Sequence, residues 1–412
     1  MNFLTASLRE PKIARILQSA FDAADPTRAV QRFLRDHPLP PSERVFVFGL
    51  GKAALAMARA LTGLPRLADS LLIAKHASPL DDWPGEVLTG DHPIPGEASL
   101  AAGRAARAFL SRLASDDLLL CLLSGGGSAL MAAPLIPLAE LQALTSRLLA
   151  SGARIDEINT VRRHLDFLKG GGVAQLAKGA RVLSLILSDV VGDSLEAIAS
   201  GPTAPDPTTV DDAARVVGQI ANLTYRFRET LKPGDPIFDR VENRIIASNE
   251  IALRAAKGQA KADGFHAEIV ASGLQGEARE VGRNLAERLK EASVNRPRPF
   301  CLLAGGETTV TIRGAGRGGR NQELALGAAD ALRGAENMAL VSIATDGEDG
   351  PTDAAGAVVT GESARRAESL GMAAPDYLSR NDAYSFFERL GDLVKTGPSG
   401  TNVNDLVLMF GY

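Results

Sequence analysis

Ten short apolar runs punctuate the chain. The first four are VFVFG (45–49), LLIAK (71–75), LLLCLL (118–123) and VLSLILS (182–188). The later six are RIIAS (244–248), AEIVA (267–271), FCLLA (300–304), TVTIR (309–313), ALVSIAT (339–345) and DLVLMF (405–410). Most are continuous rather than alternating, as strands covered on both faces are. Between them, amphipathic spacing predicts helices over 53–62, 98–114, 137–150, 250–262 and 277–292. Strand and helix in alternation predict an α/β fold with a mostly parallel sheet. The polar, Pro- and Gly-bearing stretch 224–243 breaks the rhythm. It divides the chain into a larger Rossmann-like α/β domain, residues 1–236, and a second α/β domain, residues 237–412.

Composition removes several classes of function. The chain has 412 residues, 45% hydrophobic and 23% charged, with a net charge of −4. That is ordinary globular composition, long enough for a core without staples. With no long basic run, nucleic acid is not an expected partner. Cys121 and Cys301 each lie inside an apolar run and read as buried hydrophobes. Arg9, Glu10 and Lys12 precede any leader-like apolar stretch, and no window approaches ~18 apolar residues. The cytoplasm is therefore the expected compartment, with no membrane partner. His76, His92 and His164 lack zinc-ligand spacing, and no G-x-S-x-G elbow occurs.

The chemistry is concentrated in glycine-rich loops. In VFVFGLGKAALAMA a strand ends at Gly49, turns through Gly51 and delivers Lys52 to the start of a helix. A lysine there is disfavoured by the helix dipole unless an anion binds beside it. LLSGGGSALM places Gly125, Gly126 and Gly127 between Ser124 and Ser128, so that backbone N–H groups could wrap an anion. In LILSDVVGDSLEAIA, Asp189 follows a strand and Asp193 precedes a helical pattern. The pair suits magnesium or base chemistry, although Asp193 could equally cap the helix DSLEAIA. Arg313, Arg317 and Arg320 interleave with glycines ahead of a helix starting near Asn321. Asp346, Glu348, Asp349 and Asp353 crowd another loop, where Asp346 at the strand end is the better candidate and a solvated turn accounts for Glu348 and Asp349. Asn402 lies in a final glycine loop, and Asp91 and His92 in GDHPIPGEAS either face a site or cap locally.

Taken in order, the set GLGKAA, GDHPIPGE, LSGGGSAL, EINTVRRHL, LSDVVGD, SGPT, SNEIAL, AGGETTVT, GRGGRNQE, ATDGEDGPTDAAG and TGPSGTNVNDL resembles the class II glycerate kinases. These are glycerate 2-kinases with a leucine-rich MOFRL-type C-terminal region. The resemblance implies transfer of the ATP γ-phosphate to the 2-hydroxyl of D-glycerate with Mg2+. It also implies two α/β domains with the active site in the cleft between them. Lys52, Asp189 and Arg320 are the implied catalytic residues. Gly49, Gly51, Ser124, Gly125, Gly126, Gly127, Ser128 and Asn249 are implied for the nucleotide. Asp193, Glu307, Asn321, Asp346 and Asn402 are implied for substrate or support, with Asp189 and Asp193 on the metal. Arg320 would hold the glycerate carboxylate or the transferring phosphoryl group. Both monomer and homodimer stay open. The main rival is an NAD(P)H-dependent hydroxypyruvate reductase, but Ala54 spoils the G-x-G-x-x-G fingerprint and the next acidic residue is Asp69. A non-catalytic sugar-acid sensor would have no need of Asp189 and the acidic loop together.

Overall fold

The computed structural model describes residues 1–76, 80, 83–221 and 223–412. They form two compact units, Pro26–Ile246 and Met1–Asp25 with Ala247–Tyr412. The expected boundary at 236/237 therefore lies ten residues early, because the strand Val241–Ala247 pairs into the first sheet. The first 25 residues also change sides. Their helix, Pro11–Ala24, packs on the helix Asn249–Ala262, with Arg15 bonded to Asp263 and the Ser19 hydroxyl to the Ala255 carbonyl.

The Pro26–Ile246 unit is built on β1 (Val45–Leu50), β2 (Leu67–Ala74), β3 (Glu86–Thr89), β4 (Leu118–Leu123), β5 (Arg181–Leu187) and β6 (Val241–Ala247). Their order is β3-β2-β1-β4-β5-β6, with the β1–β2, β1–β4, β2–β3 and β4–β5 pairs parallel. β1 and β4 are buried along their whole length, as their unbroken apolar sequences predict. Phe46, Phe48, Leu119 and Leu123 pack there against Ala102, Ala106 and Phe109 of the helix Glu97–Leu110. Burial pushes the Cys121 thiol up to about 12, so this sulfur packs rather than reacts. A separate cluster, including Leu144, Leu148, Ile158, Val161 and Val216, joins the helices Leu138–Ala150, Ile155–His164 and Val210–Ala221.

The second unit carries β7 (His266–Leu274), β8 (Phe300–Gly306), β9 (Met338–Ala344), β10 (Gly356–Thr360), β11 (Leu393–Val394) and β12 (Asp405–Gly411), in the order β11-β10-β9-β12-β8-β7. Only β7–β8 is parallel; β12 runs antiparallel to both β8 and β9, and β10 antiparallel to β9 and β11. The mostly parallel expectation holds for the first sheet; in the second, β9 runs through a loop straight into its antiparallel neighbour β10, and β12 inserts antiparallel between β8 and β9. TVTIR (309–313) is not a strand. Thr309 makes an isolated bridge to Glu277, while the Thr311 and Arg313 amides donate to the Glu277 carboxylate and the Asn381 side chain. Among the described residues, no helix is long and apolar enough to cross a membrane.

The chain's first residues are fastened by Asp392, which is fully buried. Its carboxylate accepts from the Thr5 hydroxyl (3.0 Å), the Ser7 amide (2.8 Å), the Ser7 hydroxyl (2.8 Å) and Arg366 (2.8 Å). Asp392→Ala leaves these donors unmatched and is expected to cost this unit about 3–5 kcal/mol. Hydrogen exchange should accelerate over residues 1–25 and 363–394 and stay unchanged over β1 and β4; equal acceleration in both units would contradict the assignment.

Candidate active site

Parallel pairing of β1 and β4, with Leu50 opposite Leu123, brings the two following turns into contact. Gly51 adopts φ +124°, and a Cβ there would lie 2.3 Å from Ser124 Oγ and 2.4 Å from Ser124 O. No other residue fits. The Lys52 amide donates to Gly125 O (2.9 Å), the Ser124 amide to Leu50 O (2.9 Å) and the Ala53 amide to Ser124 Oγ (3.0 Å). The helix begins at Ala54, so Lys52 lies in the turn before it, not in its first position. Lys52 is exposed. Its stem runs over Gly126, which has φ +84°, where a Cβ would meet Lys52 Cγ at 3.1 Å and Cε at 3.2 Å. On the other side, a Cβ on Gly125 would stand 1.7 Å from Asp189 Oδ2. Lys52, the glycine turn and Asp189 thus come together at the carboxyl ends of the strands, where open α/β sheets bind ligands.

The neighbouring hydroxyls belong to the scaffold. Ser124 is buried with its Oγ accepting from Ala53, and Ser128 Oγ lies 2.7 Å from Ser200 Oγ, which donates to Asn159 Oδ1 at 3.2 Å. Gly127 packs against Ala199 and Leu50, while a Cβ on Gly49 would meet the Leu72 side chain. The predicted helix DSLEAIA does not form, so Asp193 caps nothing there. Its backbone is left-handed, φ +56°, and the segment ends in a 3-10 turn at Ile198–Ser200. Asp91 caps the helix Glu97–Leu110, accepting from the Ala98 (3.1 Å) and Ser99 (3.3 Å) amides. His92 faces the site instead: its Cδ2 would lie 3.5 Å from a Cβ on Gly126. Burial lowers its pKa, and Lys52, Lys75 and Arg162 lower it further. Lys75 and Arg162 are cations that sequence reasoning missed. The available signal was the basic triplet Arg162, Arg163, His164 in an otherwise packed helix.

The other predicted residues belong to the second sheet, around the ends of β8 and β9 and the start of β12. Asp405 stands opposite both Gly306 and Ala344. Arg320 grips it with Nε (2.6 Å) and one terminal nitrogen (3.1 Å), and its other terminal nitrogen reaches Glu307 (2.5 Å). Burial lowers the basicity of Arg320, but the two carboxylates outweigh it and the net shift is upward. Burial raises the Asp405 carboxyl and Arg320 opposes it; two charge-assisted hydrogen bonds support the ionised pair. Asn321 is buried, its amide group joined to Asp349 (3.3 Å) and accepting from the Ser342 hydroxyl (2.7 Å).

Asp349 overturns its reading as a solvated turn. It is buried and accepts from the Asn321 (3.0 Å) and Gln322 (2.8 Å) amides, capping the helix Arg320–Ala329 from a distant loop. Burial pushes its carboxyl up to about 6, against these donors. The N-terminus of this helix thus already holds an internal carboxylate. Asp346 and Asn402 close local turns onto the Glu348 (3.1 Å) and Asn404 (3.0 Å) amides. Asn249 donates to the Val403 and Asp405 carbonyls, both at 2.9 Å, and among the described residues its buried Oδ1 meets no donor.

Glycine turns with basic side chains at the ends of a parallel sheet define an α/β enzyme that handles small anions. A family model described as a domain of unknown function, DUF4147, matches residues 12–231, and the MOFRL family model matches residues 300–405. The chain is 42% identical to the D-glycerate 2-kinase of Thermotoga maritima, over 95% of this chain and 96% of the relative. It is 40% identical, over 96% of this chain and 92% of the relative, to an Agrobacterium vitis protein provisionally named a hydroxypyruvate reductase. The crystal structure of glycerate kinase from Thermotoga maritima superposes with a TM-score of 0.91 over 97% of this chain and 99% of that one. The chain belongs to the MOFRL-containing glycerate kinase family.

Gly125→Ala drives a methyl group into the Asp189 carboxylate. If Asp189 takes part in the chemistry, displacing it by about 1 Å costs on the order of 100-fold in turnover. The variant should lose about that much kcat while keeping its circular dichroism spectrum; wild-type kcat would show that Asp189 is not held against the glycine turn.

Proposed function

We propose that the protein transfers the γ-phosphate of ATP to the 2-hydroxyl of D-glycerate, giving 2-phosphoglycerate. The observation that carries this reading is the convergence of Lys52, the Gly125–Gly126 turn and Asp189. Phosphoryl transfer asks for positioning and charge neutralisation more than covalent chemistry. Turn amides at Gly126 and Gly127 and the Lys52 ammonium would hold phosphate oxygens. Asp189 would orient the substrate hydroxyl and take its proton, or share the metal. Arg320 retains guanidinium N–H groups beyond those given to Asp405 and Glu307, and we keep it as a second proposed cation, held rigid by that pair.

Magnesium fits the donor chemistry. Among the described residues no three His, Cys, Asp or Glu side chains converge as a ready-made cage. A kinase's Mg2+ instead uses one or two carboxylates with the nucleotide's own phosphates. Asp189 and Asp193 would hold it, and bound there it neutralises charge on the phosphates. We extend the proposal to a cytoplasmic enzyme on the grounds of composition and resemblance. The reductase reading is favoured by the Agrobacterium vitis name alone. At the end of β2, where NAD folds place an acid for the ribose, the chain has Lys75.

With ATP and D-glycerate, phosphorus NMR should show phosphate on C2, and hydroxypyruvate should elicit no NADH oxidation. A 3-phosphoglycerate product refutes the position, and NADH oxidation without ATP use refutes the kinase.

Lys52→Ala should lower kcat/KM for ATP by about 10²–10³-fold, the usual loss for one donor to developing charge. The melting temperature should hold, because Lys52 is exposed and lies in the turn before the helix rather than within it. Unchanged ATP kinetics with a lower melting temperature would make Lys52 structural.

A further inference from the structure

Three consecutive basic residues close the helix Ile155–His164, and two of them are accounted for internally. Arg163 is buried. Its Nε lies 3.0 Å from Asp206 Oδ2, too oblique for a directed hydrogen bond, while its terminal nitrogens donate to Glu196 O (3.0 Å), Thr160 Oγ1 (3.3 Å) and Thr208 Oγ1 (3.2 Å). His164 uses Thr160 O (2.9 Å) and Glu229 (3.2 Å). Arg162 differs from both. It is partly buried, yet among the described residues no carboxylate or carbonyl accepts from it, and burial lowers its basicity with nothing opposing. A desolvated cation without a counter-ion is unfavourable, and removing its water is repaid only when an anion arrives.

The helix is fastened to the site at two points. Asn159, one turn before Arg162 and on the same face, accepts from Ser200, whose Oγ meets Ser128 Oγ of the glycine loop. Arg163 holds Glu196 O in the segment that follows Asp193. Arg162, Lys52 and Lys75 all act on His92, whose ring borders Gly126. Phosphate oxygens already have turn amides and the Lys52 point charge. What these lack is a flat two-pronged donor, which matches a carboxylate as well as a phosphate, and the substrate's carboxylate is the anion still without a partner. Arg320, for which the carboxylate is one of two expected tasks, already directs three of its N–H groups at Asp405 and Glu307.

We propose that Arg162 recognises the carboxylate of the 2-hydroxy acid substrate. This rests on the kinase reading above. It also makes the enzyme discriminate against glycerol, which offers the same hydroxyls without the charge.

The test compares Arg162→Gln and Arg162→Lys with the wild type. Losing a charge-assisted bidentate contact should raise the KM for D-glycerate by about 10–100-fold for Gln, with partial recovery for Lys. The KM for ATP should stay within about twofold, and the glycerate-over-glycerol preference should shrink by the same factor as glycerate binding. The ligand-free melting temperature of Arg162→Gln should hold or rise, since an uncompensated charge is removed. Arg163→Gln, which breaks a buried network, should lower it. A raised KM for ATP with normal glycerate kinetics would assign Arg162 to the nucleotide and overturn the proposal. A fallen melting temperature with unchanged KM values would make it structural and also overturn it. If the wild type phosphorylates no hydroxy acid, the kinase reading fails separately, and D-glycerate-induced stabilisation measured by scanning fluorimetry decides. Stabilisation present in wild type and lost in Arg162→Gln supports the carboxylate site; stabilisation retained, or absent from both, overturns it.

Discussion

The first sheet's chemistry depends on the contact between the turns that leave β1 and β4. Two adjacent parallel strands end in register, and their turns meet so closely that Gly51 has no room for a Cβ beside Ser124. Four consequences follow from that single approach. The Lys52 amide is fixed to Gly125, the ammonium stem is laid over Gly126, Ala53 is tied to the Ser124 hydroxyl, and Asp189 closes the opposite side of the glycine turn. A flexible loop could contain the same residues. The steric limit is what gives them one arrangement.

The strand ends of the two sheets differ in how charge is balanced. Around β8, β9 and β12 each prominent charge meets an internal partner: Arg320 with Asp405 and Glu307, Asp349 with helix amides, Arg279 with Glu323. Such a network holds geometry firmly and leaves little unneutralised charge. Around β1, β4 and β5 the balance is different. Burial lowers the pKa of His92, and Lys52, Lys75 and Arg162 lower it further, a surplus of positive charge that suits an anionic ligand.

Much of this was legible in the residues. Continuous apolar runs located nine of the ten expected strands, and glycines after buried strands marked the right turns. TVTIR misled because its alternation resembles a strand, yet its amides bond to side chains and Ile312 faces solvent. GAVVT at β10 was missed because Gly and Ala weaken the apolar pattern. In the site, sequence could name charged residues but not their partners. Arg320 and Arg162 look equally available on paper; one meets Glu307 and, 85 residues on, Asp405, while the other meets no carboxylate among the described residues. Asp349 likewise reads as a solvated turn until the helix it caps arrives from another loop. Local pattern encodes backbone geometry well, whereas charge balance is a long-range property.

The pairing of the helix Pro11–Ala24 with the helix Asn249–Ala262 also has a meaning in time. A ribosome delivers the first helix, with Ile13, Ile16, Leu17 and Phe21 ready for burial, before any of the unit that those side chains will cover. The whole Pro26–Ile246 segment must be translated in between. At about 5–20 residues per second the wait is on the order of 10–40 s. In nascent chains of this protein the Pro11–Ala24 segment therefore carries its apolar side chains without their covering partner while the inserted unit is made. Its protection during synthesis falls to whatever holds amphipathic segments at the tunnel exit.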